Sequence, residues 1–516
     1  MNGAESLVRS LLANGVDTCF ANPGTSEMHF VAALDRVDGV RCVLGLHENV
    51  VTGMADGYYR ISGKPAATLL HCGPGLSNGS ANLHNARRAE SGIVNIVGDH
   101  ATGHRPYDSP LTADVPALAG AVSASVCTPA NTETLGADAA RAVAIARQHP
   151  GRIATLILPA DISWSEGGVE AATHSATPPP VIDPLAVETA RQLLGGDGRS
   201  LILLGNSTAT HEGIGLAYAI AGRAGADVMA SSTVASHPGG RGTHPFPRVP
   251  YPVDAAIEVL AAYDNVLLVN CPPPVGFFGY PGKPSLLCRP DAVVHTLSRR
   301  EQDGTEALRL LATAFGLDIG EMNRPAIGPR QEIELPHGEP TPEKLDQALA
   351  ALLPDRAIIV DESITYSNGF TTTRAAAAPH DWLVITGGAI GGGMPVATGA
   401  AIAGGGRQVV NLQADGSAAY TLQALWTQAR ENLPCTTVLL NNRRYNILLG
   451  EYRNVGAVPG PTAMSMLDLD NPDIRWADLA RSLGVEAVCV ATMEECAQAL
   501  SRGFGSGKPY FIELLV

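Results

Sequence analysis

The chain has no Cys-x-x-C pair. Its nine cysteines (Cys19, Cys42, Cys72, Cys127, Cys271, Cys288, Cys435, Cys489 and Cys496) are odd in number and scattered. That spacing excludes a zinc knuckle and a disulfide framework, and it fits a reducing compartment. No run of 18 or more apolar residues is present, so no spanning helix is expected. The start, MNGAESLVRSLLANGV, lacks a basic stretch followed by an apolar one, so no secretory signal is expected and the chain reads as cytoplasmic. Aromatics are only 5%, which makes the expected core aliphatic. Basic residues are in the minority, 35 Lys and Arg against 50 Asp and Glu, for a net charge of −15. So acidic a surface repels nucleic acid and anionic membranes, and neither is an expected partner. A small anionic substrate is not excluded, because one local cationic site overrides the net charge.

What is present is a long chain rich in turns. Its 516 residues suggest about three domains. Two proline-rich polar stretches, 172–184 and 323–344, read as linkers. They leave segments 1–170, 185–322 and 345–516. Each alternates short apolar runs with helical runs. RCVLGL, PAATLL and GIVNIVG belong to the first, SLILLG and NVLLVN to the second, and RAIIVDE, WLVITGG, QVVNLQ and TTVLLN to the third. Continuous apolar strands separated by helices predict an α/β fold of mostly parallel sheets flanked by helices. Ligands of such sheets bind at the carboxyl ends of the strands.

The strongest local signal is VVNLQADGSAAYTLQALWTQARENLPCTTVLLNN at 409–442. Asp415 ends one strand, a helix is expected to place Leu422, Leu425, Trp426, Ala429 and Leu433 on one face, and the next strand ends at Asn441 and Asn442. A right-handed crossover sets the two strand ends side by side. Asp415 and Asn442 then offer oxygen to one hard cation such as Mg²⁺. Gly416 allows close backbone approach, and Ser417 opens a helix whose N-terminus favours a diphosphate. From spacing alone, an Asp-capped turn explains the same residues equally well.

This block resembles the diphosphate–metal motif of thiamine-diphosphate-dependent enzymes, Gly-Asp-Gly followed by Asn-Asn, with Ala414 in place of the first glycine. The resemblance covers nearly the whole chain. It lies nearest the group that joins benzoylformate decarboxylase with the acetolactate synthase large subunit. It implies a pyrimidine-binding domain at 1–170, a middle domain at 185–322 and a diphosphate-binding domain at 345–516. The metal would be held by Asp415, the Asn442 side chain and the Arg444 carbonyl. RCVLGLHENVVTGMADGYYR resembles the pyrimidine-domain motif and assigns Glu48 to the aminopyrimidine ring, with Leu46, Val50, Val51 and Met54 as an apolar surround. Without that resemblance, Glu48 reads as a first-turn residue favoured by the helix dipole.

WLVITGGAIGGGMPVATGAAIA resembles the segment that bends the cofactor, with the Gly388 backbone on the pyrimidine and Ile390 as the apolar wedge. Read alone it could pass for a dinucleotide fingerprint, but no ribose-binding acid follows at the required place. DESITYS supplies Thr365 as a diphosphate contact. His71, before a Gly-Pro-Gly turn, resembles the catalytic histidine of benzoylformate decarboxylase, and Thr25 in ANPGTSE stands for its catalytic serine. A second histidine is replaced by Phe277 and Phe278 in CPPPVGFFGYPG. In GDHATGH, His100 and His104 read as loop histidines. After Asn442, a helix carrying Tyr445, Leu448 and Glu451 one turn apart is expected over the cofactor, Glu451 being an acid–base or substrate-sensing group or a solvated one.

The resemblance therefore implies cleavage of the bond next to the keto group of a 2-oxo acid, through an enamine that is protonated to an aldehyde. The alternative is acetolactate-type carboligation onto a second carbonyl. The implied assembly is a homodimer or homotetramer with sites at the subunit interface. Acetolactate synthases also carry FAD in the middle domain; no residue here indicates it.

Overall fold

The apolar runs pair as buried parallel strands because helices cover both faces of each sheet. In a computed structural model, all residues are described except 319–324, 326, 330–331 and 368. The expected linker at 323–344 therefore lies partly outside the described residues. Residues 172–183 carry neither helix nor strand, and a helix begins at Pro184.

The first sheet is built from β1 (Thr18–Ala21), β2 (Arg41–Leu44), β3 (Ala66–Leu70), β4 (Ile93–Asp99), β5 (Ser125–Cys127) and β6 (Ile153–Pro159). Their order is β2-β1-β3-β4-β6-β5, all parallel. Next in the chain come β7 (Ser200–Leu204), β8 (Asp227–Ala230), β9 (Ser236–Gly239), β10 (Asn265–Val269) and β11 (Val293–Ser298). Four of these form a parallel sheet in the order β11-β10-β7-β8. The last strands are β12 (Ile358–Glu362), β13 (His380–Val384), β14 (Val409–Ala414), β15 (Cys435–Asn441), β16 (Glu486–Val490) and β17 (Tyr510–Leu515). They form the third sheet, in the order β16-β17-β15-β14-β12-β13-β9.

β9 is the exception to parallel pairing. It leaves the middle segment and pairs antiparallel with β13 of the third sheet, His237 opposite Trp382 and Gly239 opposite His380. Pro238 is tolerated there because β9 is an edge strand. The seam is dry. Burial holds the imidazoles of His237 and His380 neutral, with pKa values pushed down to about 3 and about 4. Each ring is fixed through Nδ1, to the carbonyls of Pro238 and Ala378 at 3.0 and 2.8 Å.

The first and third sheets are joined through two helices, Glu48–Ser62 and Gly393–Ala403, which cross at glycines. A Cβ on Gly57 would lie 2.0 Å from the Val396 carbonyl oxygen, and one on Gly399 would lie 1.9 Å from that of Met54. Only glycine allows backbones this close. Val50, Val51, Met54 and Ala55 then share one core with Met394, Leu425, Trp476 and Phe511.

Two local expectations are corrected. The Gly-Pro-Gly after His71 is no free turn but the first turn of the helix Cys72–Ala89, where a proline costs no hydrogen bond. The helix after Asp415 is two pieces, Asp415–Thr421 and Ala424–Arg430. Its inner face is not a simple apolar stripe: the Thr421 hydroxyl donates to the Gly391 carbonyl, Thr427 to that of Leu44, and the Gln428 amide to Thr398.

The glycine-rich turn before Gly393–Ala403 folds around one buried acid. Glu362, at the end of β12, accepts the N–H groups of Gly391, Gly392 and Gly393 at 2.8, 3.1 and 2.8 Å, and the Gln413 amide at 2.8 Å. Burial pushes this carboxyl upward against those four donors.

Two predictions follow from the seam and the turn. His237 and His380 have folded pKa values below the ordinary 6.5, so their contribution to stability is full above that pH and is lost as the pH falls toward 4. At pH 5 each should cost about 2 kcal/mol. Urea unfolding at pH 7 and pH 5 measures the drop, and His380→Asn should shrink it by about half. Glu362→Gln places an amide donor against a backbone donor; urea unfolding should show a loss of about 2–4 kcal/mol, and an unchanged midpoint would contradict this account of the turn.

Candidate active site

Three groups of side chains lie at strand ends and helix starts, where sheets of this kind present their loops. The first is set by β1, β3 and β4. His71 follows β3, and its Nδ1 lies 2.9 Å from Oε2 of Glu27, whose side chain is fully buried. Glu27 also accepts the Gly24 N–H at 2.7 Å and the Ser26 hydroxyl at 2.5 Å. The fit demands two glycines. A Cβ on Gly98 would lie 1.7 Å from Glu27 Oε1, and one on Gly24 would lie 2.2 Å from the His71 ring. A carboxylate on Nδ1 fixes the tautomer with the proton there and leaves Nε2 as the free nitrogen. The His71 side chain is 23% exposed, so the pair is open to a ligand. Ser26 Oγ is 3.4 Å from His71 Nδ1 and 3.1 Å from Cys72 Sγ. Burial pushes the Cys72 thiol up to about 11, so it stays protonated.

Thr25 is exposed, and the hydrogen bonds to His71 come from its neighbours Ser26 and Glu27. The sequence reading missed both. A signal was there: an acid three residues after Gly24 can hold a histidine from a neighbouring strand end.

Glu48 is buried at the start of its helix, where Asn78 donates to Oε2 at 3.0 Å. Gly75 makes room for it, since a Cβ there would lie 2.9 Å from Oε1. Val50, Val51 and Met54 are buried as expected, whereas Leu46 stands exposed. The next residue, Asn49, links Glu48 to the glycine-rich turn. Its side chain accepts the Asn82 N–H, and the Asn82 amide donates to the Gly391 carbonyl. Asn85 and His84 hold the same turn through the Ala389 and Gly387 carbonyls.

The second group lies between β14 and β15. Asp415 is buried, and its carboxylate accepts only backbone N–H groups, from Gly416 at 2.8 Å and Arg443 at 2.6 Å. Burial pushes its carboxyl upward, against the backbone donors that hold it. Arg443 takes a positive φ of 54°, which turns the chain back toward Asp415. The Asn442 side chain accepts the Arg444 N–H at 3.1 Å and bonds Tyr366. The Arg444 carbonyl accepts the Asn446 N–H at 2.8 Å. Tyr445 lies against Gly416, where a Cβ would lie 2.5 Å from the ring. The Ser417 hydroxyl is held by Ala414 and Gln413. Thr365 sits exposed in the short helix Ile364–Tyr366.

The third group brings the middle segment to the glycine-rich turn. Gly388, at φ 75°, has the Phe277 ring 2.8 Å from where its Cβ would be. Phe277 packs on Tyr251 and Phe278, with ring centroids 5.3 and 5.1 Å away. Ile390, two residues further along the turn, is half-buried. Glu451, in the helix Ile447–Asn454, is no solvated acid: Tyr280 donates to it at 2.7 Å and Tyr251 at 3.4 Å. His100 is engaged by Ser109 at 3.1 Å, and His104 is exposed on the same loop.

The backbone donors that a dinucleotide phosphate would need at 391–393 are already taken by Glu362, which removes a nucleotide-binding reading of that turn. Among the described residues, no helix is long and apolar enough to cross a membrane.

Comparison with known proteins agrees with this layout. Residues 1–118 match the N-terminal TPP-binding domain of thiamine pyrophosphate enzymes, and residues 367–514 match the C-terminal TPP-binding domain. The chain is 44% identical to a Mycobacterium tuberculosis protein provisionally named acetolactate synthase large subunit IlvX, covering 100% of this chain and 99% of that one. It is 28% identical to benzoylformate decarboxylase of Pseudomonas aeruginosa, over 98% of this chain and 97% of the relative. Its fold superposes on the thiamine diphosphate-dependent 4-hydroxybenzoylformate decarboxylase of Rhodococcus jostii with a TM-score of 0.83, at 24% identity over 99% and 98% of the two chains. The three α/β sheets, the two matched binding domains and a relative alike from end to end make this chain a member of the thiamine-diphosphate-dependent enzyme family of 2-oxo acid decarboxylases and acetolactate synthases.

Proposed function

We propose that this enzyme, with thiamine diphosphate and Mg²⁺, removes CO₂ from a 2-oxo acid without net oxidation and releases an aldehyde. The observation that carries the reading is the Glu27–His71 pair, a histidine oriented by a buried carboxylate and open to a ligand. In this reading, segment 1–170 binds the pyrimidine, 185–322 is the middle domain and 345–516 binds the diphosphate.

The residues suit these groups. Asp415 is a buried carboxylate without a cationic partner among the described residues, and Arg443, whose N–H meets it, lies in the chain between Asn442 and Arg444. Oxygen donors of this kind are what Mg²⁺ takes. Gly416, closed over by Tyr445, with Ser417 and Thr365, would hold the diphosphate. The Gly388 backbone and Ile390 would set the ring geometry. Thiamine diphosphate, when bound, supplies the electron sink for carbon–carbon cleavage. Glu48 would hold the aminopyrimidine through a hydrogen bond. With the Nδ1 proton held by Glu27, His71 would take up a proton from solvent at Nε2, pass it to the carbon that has lost CO₂ and return to its neutral form. Ser26, rather than Thr25, is the hydroxyl within reach of this pair.

Carboligation is the second reading. Phe277 is 42% and Phe278 55% exposed, and this apolar wall beside Gly388 could shelter the reacting carbon until a second carbonyl arrives.

We further propose a homodimer or homotetramer with shared sites. Leu46, two residues before Glu48, Phe277 against Gly388 with Phe278 packed on it, and Leu448 on the helix that carries Glu451 are large apolar groups exposed on a single chain. Apolar exposure of this kind marks a surface that another chain covers.

Incubating the protein with thiamine diphosphate, Mg²⁺ and a panel of 2-oxo acids tests the reaction. Aldehyde and CO₂ are expected in equal amounts; 2-acetolactate as the main product from pyruvate would establish carboligation instead. His71→Ala should lower aldehyde release about 10²-fold, and lower substrate consumption with an artificial electron acceptor far less. The shared site is tested by co-refolding two inactive variants, Glu48→Gln and Asp415→Ala. Mixed dimers should regain activity that neither parent shows; proven heterodimers without activity would place the whole site within one chain.

A further inference from the structure

We propose that Glu451, with the two tyrosines that hold it, forms the far end of the substrate side-chain pocket and selects 2-oxo acids whose side chain ends in a hydrogen-bond donor. This inference rests on the decarboxylase reading above and adds a substrate class to it.

The path from the glycine-rich turn to Glu451 is continuous. The Phe277 ring lies on Gly388, Tyr251 packs on Phe277 at 5.3 Å, and the Tyr251 hydroxyl is 3.4 Å from Glu451 Oε1. Two aromatic rings thus separate the turn from the carboxylate, and they form an apolar wall that ends in a negative charge. Tyr280, itself buried, donates to Oε2 at 2.7 Å, and Asn454 approaches Oε1 at 3.4 Å. Burial first, and Glu451 next, push the Tyr280 hydroxyl well above its ordinary pKa, so it stays a donor.

These partners are all neutral. A carboxylate accepts about four hydrogen bonds. Here one is short and two are long, all on a half-buried group. Such an anion is completed by a further donor, and best by one that carries charge. An apolar group of the same shape would shield the carboxylate from water and return nothing. The charge also repels the carboxylate of the 2-oxo acid, which orients the substrate with its side chain toward Glu451. A hydroxyl, an ammonium or a guanidinium at the end of that side chain satisfies the same site.

The test compares phenylglyoxylate with 4-hydroxyphenylglyoxylate and 4-(aminomethyl)phenylglyoxylate on the cofactor-loaded enzyme. Donor-ended substrates should be preferred in kcat/KM by about tenfold or more, carried mostly by KM. Glu451→Gln should bring the preference for the ammonium compound close to one, and Tyr280→Phe should weaken it partly. A tether without a role in recognition would change both substrates alike and leave the ratio where it was. Calorimetric titration with the same three compounds separates this inference from the reaction. A binding preference for donor-ended compounds without turnover would overturn the decarboxylase reading and leave this one standing. Equal affinities in the wild-type protein, or a ratio that Glu451→Gln does not alter, would overturn the role given to Glu451.

Discussion

The geometry around the glycine-rich turn rests on the carboxylate of Glu362. Three consecutive glycine N–H groups converge on it from a backbone that a side chain at Gly393 would block, 2.4 Å from Gln413. Those donors would otherwise be buried and unpaired, at a cost of about 1–3 kcal/mol each. One acid thus fixes where the chain leaves β13, how it enters the helix Gly393–Ala403, and where Gly388 and Ile390 come to lie. The carbonyl side of the same turn is held from the first sheet, by Asn82, Asn85 and His84. The turn is therefore a joint between two units, clamped through its donors by one and through its acceptors by the other.

The same division runs through the rest of the molecule. Glycines at the crossing of the helices Glu48–Ser62 and Gly393–Ala403 bring two backbones into contact, so Glu48 is placed relative to the turn with little slack. β9 ties the middle segment to β13 through two neutral, buried histidines. That tie brings Phe277 onto Gly388 and the tyrosines Tyr251 and Tyr280 onto Glu451. Phe277, Tyr251 and Tyr280 are thus drawn from a segment whose own sheet lies elsewhere. Rigid elements carry the chemistry, and short polar clamps set the distances between them.

Glu27 and Glu362 show one device used twice. Each is a fully buried acid that meets no arginine or lysine among its hydrogen-bond partners. Glu27 organises an imidazole and a hydroxyl, and Glu362 organises backbone amides. Buried charge of this kind is costly, and it persists where many donors share it. Gly98 makes room for the carboxylate of Glu27 and Gly393 for that of Glu362.

Much was legible in the sequence. Continuous apolar runs such as SLILLG and TTVLLN announced parallel, doubly covered strands, because such strands have no solvent face to mark with polar residues. The Asp415-to-Asn442 spacing announced a strand–helix–strand unit, because a crossover of that length can close in only one way. Other features lay beyond it. The antiparallel docking of β9, the hold of Glu27 on His71, the collection of amides by Glu362 and the grip of two tyrosines on Glu451 all join residues far apart in the chain. Local pattern carries no record of such pairs; they arise when packing brings burial, and burial makes an unpaired polar group too expensive to leave alone. Ser26 is the smallest example, since neighbouring hydroxyls look alike in a motif and only the turn that follows β1 sets this one against Glu27 and His71.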